Sequence, residues 1–143
     1  MIFNKELTYM TENYIQFILL TKDLEQAAAE SGIRNGMLTA ITKHTTTGIA
    51  VNEALECLES DLDLFLKTIA PEDFPYAHAH ILREYGSTGG NPTGHIKAHL
   101  TGNHCHFPIV DGVLIRGGAQ DIYLMEFDGP SARRSVLVQI QGE

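Results

Sequence analysis

The chain has no tryptophan, two cysteines, five prolines, and ten basic residues against eighteen acidic ones. Its net charge of −8, with the histidines neutral, argues against non-specific nucleic-acid binding, which works by neutralising phosphates with Lys and Arg. An anionic small molecule is still admissible, because one pocket can be basic on an acidic protein. No apolar run is long enough to span a bilayer, so no membrane partner is expected. The opening MIFNKELTYM has no positive region followed by a hydrophobic stretch, so no secretory signal is read there. Without such a signal, Cys57 and Cys105 predict reduced thiols in a cytoplasmic protein rather than a disulfide framework. No repeat or low-complexity linker divides the sequence. Residues 1–143 are therefore read as one compact domain, long enough to bury a hydrophobic core.

What is present alternates between strand and helix signals. NYIQFILL (13–20) is rich in β-branched and aromatic residues and reads as a strand. KDLEQAAAESG follows as a helix that Gly32 stops. MLTAITK (37–43) and IAVNE (49–53) read as strands on either side of HTTTG. Residues 54–70 carry Leu55, Leu58, Leu62, Phe65, Leu66 and Ile69 at spacings of three and four, an amphipathic helix that Pro71 ends. Residues 71–91 read as a long loop, the kind that is often functional. Asn91, Pro92 and Gly102 mark the start and end of a third helix. CHFPIV, Asp111-Gly112 and VLI form a hairpin signal, and DIYLMEF and SVLVQIQ complete the strands. Without a regular β-α alternation, the expected class is α+β.

The histidines concentrate in GHIKAHLTGNHCHF (94–107), which holds four of the seven. His95 and His99, four apart, share one helix face, and His104 and His106 share one strand face, with Cys105 on the other. Either pair could bind a metal. Each reads more simply as solvated or hydrogen-bonded imidazoles, and Cys105 as a small buried hydrophobe. His44, at a strand end before TTTG, opens a turn that can present hydroxyls and backbone N–H groups to an anion. It reads equally as a β-turn whose threonines bond their own backbone. His78 and His80, in the long loop, could face solvent or a site.

Taken together, HTTTGIAVNE, GHIKAHLTG, FPIVDGVLI, the stretch Gly117-Gly118-Ala119-Gln120 and YLMEFDGP resemble the secondary thiamine-phosphate synthase family, long counted among the uncharacterised families of small bacterial and archaeal proteins. The resemblance runs from about residue 37 to the C-terminus. Matching motifs are His44 to Gly48 with Asn52 and Glu53, Asp61-Leu62, Tyr76 with His78, Asn91 with Gly94, His95, Ile96 and Lys97, Pro108 to Gly112, and Glu126 to Pro130. His99, His104 and His106 fall on variable positions. The family's Trp-containing Gly-Thr-Trp-Gln is here Gly-Gly-Ala-Gln, which removes a large aromatic surface.

The resemblance implies a mixed or antiparallel sandwich-like sheet core with a few helices packed outside, and a homotrimer. It places His44, His78 and His95 on one divalent metal, with an open position for water or substrate. Three imidazoles suit zinc or another transition metal, magnesium being the other expectation. Glu53 and Glu126 are expected to orient ligands or transfer protons. Lys97 is expected to be catalytic and to grip phosphate. Thr45, Thr46, Thr47, Asn91, Gln120, Arg133 and Arg134 would contact a phosphorylated small-molecule substrate. The implied reaction joins hydroxymethylpyrimidine diphosphate to thiazole phosphate with release of pyrophosphate. The ligand set is equally consistent with a metal-dependent hydrolase or phosphatase of a small phosphorylated metabolite, or with a non-catalytic metal- or ligand-binding protein.

Overall fold

A computed structural model describes residues 1–79, 81–82, 86–87 and 90–143. Period-two alternation explains most of its strands. Strand β1 (Ile2–Thr11) turns Phe3, Leu7 and Tyr9 inward and Ile2, Asn4, Glu6 and Thr8 outward. The same alternation recurs in β3 (Gly36–Thr42), β7 (His104–Val110) and β10 (Ser131–Gly142), as a half-buried sheet requires. With the short β8 (Val113–Leu114) these form a five-stranded sheet in the order β1-β10-β3-β7-β8. Asp111 and Gly112 make the tight β7–β8 turn with positive φ of 52° and 82°, the conformation that Asp-Gly supplies.

The second sheet is three-stranded, in the order β2-β9-β4, from Gln16–Leu19, Asp121–Glu126 and Thr47–Asn52. Its central strand β9 is covered on both sides, with Ile122 to Phe127 all buried. Ile122 and Leu124 face the large sheet and α1 (Thr21–Ser31), packing with Leu24, Ala27, Leu38, Ile109, Val138 and Ile140. Tyr123, Met125 and Phe127 face the other way, towards Ala98, Leu62 and Leu66. Those residues lie on α3 (Pro92–Thr101) and α2 (Glu56–Ile69). The small sheet is thus the middle layer, with the large sheet on one side and two helices on the other. Every strand pair among the described residues is antiparallel, so the α+β expectation holds and its antiparallel form is the one found.

Three features depart from the sequence reading. Strand β1 carries a weak strand signal, because only three of its inward positions are large and apolar. The segment 71–91 is not structureless: it contains a 3-10 turn (Ala77–Ala79) and a two-residue pairing of β5 (Ile81–Leu82) with β6 (Gly86–Ser87). The amphipathic α2 exists, yet none of its residues is buried. No helix among the described residues is long and apolar enough to cross a membrane.

Candidate functional site

The site forms where β3 hands over to β4. In the intervening turn the Thr42 and Thr47 hydroxyls bond each other at 2.6 Å, both buried, and the Thr42 hydroxyl also accepts the His44 N–H at 3.3 Å. Side-chain hydroxyls thereby close the turn. His44 reaches across to β10, where its Nε2 accepts the Ser135 backbone N–H at 2.7 Å. A neutral imidazole has one lone pair, and on this ring it is spent on Ser135, so the proton sits on Nδ1. Partial burial holds His44 below the usual histidine range, and the neighbouring Arg134 charge acts in the same direction against a smaller opposing pull from Glu126.

Behind His44 lies a closed ionic knot. Glu126, fully buried, accepts from Arg134 Nε at 2.9 and 3.1 Å and from Nη2 at 2.7 Å. Thr11 donates to the same carboxylate at 2.8 Å and accepts the Ser131 N–H at 2.8 Å. Arg134 Nη2 also donates to the Thr46 hydroxyl at 2.9 Å. The pair links the end of β9 to the start of β10 and, through Thr11 and Thr46, to β1 and β4. A bidentate, hydrogen-bonded pair is the form in which buried charge is tolerated.

Helix α3 supplies the opposite wall. It comes close because Gly48 and Gly94 lack side chains. A Cβ on Gly48 would stand 2.6 Å from Thr101 Cγ2 and 3.0 Å from the Gly102 carbonyl. One on Gly94 would stand 3.0 Å from the Phe127 carbonyl. Between turn and helix opens a cleft of about 430 Å³, lined by His44, Thr45, Thr47, His95, Ala98, His99, Gly102 and Asn103. His95 also borders a second hollow of about 390 Å³ with Tyr76, His78 and Pro92. There the His78 and His95 rings meet edge to face, their centroids 4.8 Å apart. His78 Nε2 donates to Asn91 Oδ1 at 2.9 Å, and Asn91 Nδ2 donates to Asp128 at 2.7 Å. A carboxylate and an amide thus orient the His78 ring. Nothing in the sequence points to Asp128, which is there only the residue between Phe127 and Gly129.

The structure sorts the sequence candidates. His44 and His95 line one cleft, and His78 touches His95 from the other side. The three do not fit a zinc-type centre as they stand. The His44 lone pair is committed to a backbone N–H, and no group of three or more His, Cys, Asp or Glu that could hold an ion occurs among the described residues. Thr45 is exposed on the cleft wall, whereas the Thr46 and Thr47 hydroxyls serve Arg134 and Thr42. Asn91 works within the protein, bridging His78 and Asp128. Arg134 and Glu126 neutralise each other, so Arg134 is not a free phosphate clamp and Glu126 is not a free base. Arg133 and Glu53 are exposed. Gln120 accepts the Gly117 N–H at 2.7 Å in a surface turn. Lys97 is 1% exposed and lies on the core side of α3, outside the cleft lining. His80 lies outside the described residues.

Comparison with known proteins gives a consistent result. A family model described as UPF0047 protein YjbQ-like matches residues 5–143. A UPF0047 protein of Methanothermobacter thermautotrophicus is 31% identical over 142 residues, covering 99% of this chain and 94% of that protein. The UPF0047 protein YugU of Bacillus subtilis is 33% identical over 129 residues, covering 90% and 92%. Among solved structures, a YbjQ-like protein of unknown function from Sulfolobus solfataricus superposes with a TM-score of 0.92 at 29% identity, over 100% of this chain and 99% of the other. A YjbQ/UPF0047-family protein from Clostridium acetobutylicum gives 0.85 at 36% identity, over 96% and 99%. These matches correct the resemblance drawn from the motifs, because the family they identify is UPF0047 and not a thiamine-phosphate synthase family. The synthase reaction, the transferase class and the zinc dependence fall with it, and the metal-dependent hydrolase reading has no support from the relatives.

Proposed function

Because the chain belongs to the UPF0047 family of YjbQ-like proteins, whose relatives are named without an activity, we propose from its geometry that the cleft between His44 and α3 binds a small phosphate-bearing metabolite, with His44 as its fixed hydrogen-bond donor. One observation carries this reading. In a chain with eighteen acidic residues, the cleft wall presents three imidazoles, two threonines and an amide, and no carboxylate. A wall of donors without acidic groups suits an anion, and about 430 Å³ is the scale of a metabolite pocket. The Ser135 N–H fixes the His44 tautomer, so the Nδ1–H is the polar edge of the ring left for the ligand. Asn103 Oδ1 is occupied by His104, which leaves its Nδ2 hydrogens as further donors. Thr45 adds an exposed hydroxyl.

The test is titration of the imidazole and amide NMR resonances with inorganic phosphate, ribose 5-phosphate and unphosphorylated ribose. Saturable shifts at His44, His95 and His99 are expected with the two phosphates and none with ribose. His44→Ala should weaken ribose 5-phosphate binding about ten- to 150-fold, as expected for one charge-assisted hydrogen bond of about 1.5–3 kcal/mol. Equal binding of ribose, or undiminished affinity in both His44→Ala and His95→Ala, would overturn the assignment.

A second reading concerns assembly. We also propose that copies of the chain associate, as the expected homotrimer, through the apolar side of α2. The support is that α2 has no buried residue although Leu64 and Phe65 are 66% and 61% exposed.

A further inference from the structure

His104 and His106 belong to neither the cleft nor the ionic knot. On β7 the alternation sends Cys105, Phe107 and Ile109 into the core and the two histidines to the outer face of the large sheet. Their rings stand edge to face with centroids 5.1 Å apart. Each ring is held through Nδ1: His104 by Asn103 Oδ1 at 2.8 Å, His106 by the Thr39 hydroxyl of the neighbouring strand at 2.9 Å. An amide oxygen only accepts, so His104 donates from Nδ1 and its lone pair is on Nε2. When the Thr39 hydroxyl accepts, His106 has the same tautomer. Neither Nε2 has a hydrogen-bond partner among the described residues.

We propose that His104 and His106 form a two-imidazole chelate for a divalent transition ion, copper(II) in preference to nickel(II), with water completing the coordination. Two imidazoles bound to one ion at about 2.0–2.1 Å bring their ring centroids to about 4.5–5.5 Å, the separation the rings already have. A strand holds side chains two residues apart on one face, so little ordering remains on binding. An Nδ1–H held by an oxygen makes Nε2 the better ligand and fixes the ring. Thr39 and Asn103 are placed to do this. Nitrogen sites of this kind favour copper(II) among the divalent first-row ions. The site does not depend on the cleft reading, since none of its ligands is His44, His95 or His99.

The experiment is calorimetric titration of the untagged full chain with copper(II) chloride and nickel(II) chloride, with copper EPR as a second readout. One equivalent of copper is expected, with hyperfine structure from two equatorial nitrogens and tighter binding than nickel. His104→Ala and His106→Ala should each weaken copper binding at least about tenfold, and Thr39→Val a smaller amount. Both histidines are exposed, so near-ultraviolet circular dichroism should show the variants folded. Copper binding that survives in the His104→Ala/His106→Ala double variant, or that is lost in His44→Ala or His95→Ala instead, would overturn the proposal. Absence of binding to the wild-type chain would do the same.

Discussion

Lys97 and His95 stand two residues apart on the same helix and have opposite surroundings. Two residues along an α-helix is a rotation of about 200°, so a helix that turns His95 to the cleft turns Lys97 away from it, into the neighbourhood of Asp63, Lys67 and Glu72. There the residue is 1% exposed, and Nζ is a buried polar atom without a hydrogen-bond partner among the described residues. Burial pushes its pKa below the usual lysine range, while the Glu72 and Asp63 carboxylates pull it back and Lys67 adds to the lowering. A folded-state pKa below the unfolded value means that the folded chain binds the proton less readily. The associated stability is fully present only above the unfolded pKa of about 10.4 and is lost as pH falls through the folded value. At neutral pH the charge is therefore a net cost. Lys97→Met, similar in length and without the charge, is expected to stabilise the fold by about 1–3 kcal/mol, the size of one unsatisfied buried polar group. Urea denaturation at pH 7 measures this, and a clear loss of stability would show that the ammonium has a partner in solution. Arg134 is the opposite case, a mostly buried cation whose Nε and Nη2 bond Glu126 and Thr46.

The elements of the site are legible in the sequence to different degrees. Helix α3 is readable from Asn91, Pro92 and Gly102, and β4 from its β-branched run, because local chemistry fixes both. The position of one against the other is not readable, because it depends on what glycine omits. Gly48 reads as the last letter of a turn motif, but its structural role is to let Thr101 and the Gly102 carbonyl approach β4. The Ile49 N–H then bonds that carbonyl at 3.0 Å. Gly48→Ala is expected to cost about 1–3 kcal/mol, the usual penalty for forcing a methyl group into a packed contact. Thermal unfolding checks the stability, and a shift in the Ile49 amide resonance reports whether α3 has moved from β4. Unchanged stability with an unchanged resonance would show that the contact has slack. The threonines mislead for a related reason. A hydroxyl beside a histidine signals ligand binding and turn closure equally, and only the fold shows that Thr46 answers Arg134 and Thr47 answers Thr42. His44 and His95 stand out in the sequence and do line one cleft, but that cleft is not the three-imidazole centre expected of them.

For the molecule as a whole, α2 is the element whose sequence pattern and burial disagree. Its Leu and Phe residues recur at helical spacing, which fits a helix with one side against a core. Yet Leu62 and Leu66 are only partly covered, by Ala98, Tyr123, Met125 and Phe127, and Phe65 and Ile69 stay 61% and 48% exposed. A hollow of about 370 Å³ follows this side of the helix, lined mainly by apolar residues such as Leu62, Phe65, Leu66 and Ile69, with Asn52 and Thr101 the polar ones. Polar groups do not close it: Asp63 pairs with Lys67 along the helix, and Glu59 accepts from Tyr123. An apolar hollow of this kind on a chain of 15.8 kDa supports the proposed contact through α2. A second copy of the chain is its expected occupant. The wild-type protein should then sediment at three times 15.8 kDa at micromolar concentration. Phe65→Glu, which puts a carboxylate into the hollow at an exposed position, should sediment as a monomer with its circular dichroism unchanged. A monomeric wild type, or a Phe65→Glu variant that keeps the full assembly, would rule out α2 as the contact and leave its apolar side for a different partner.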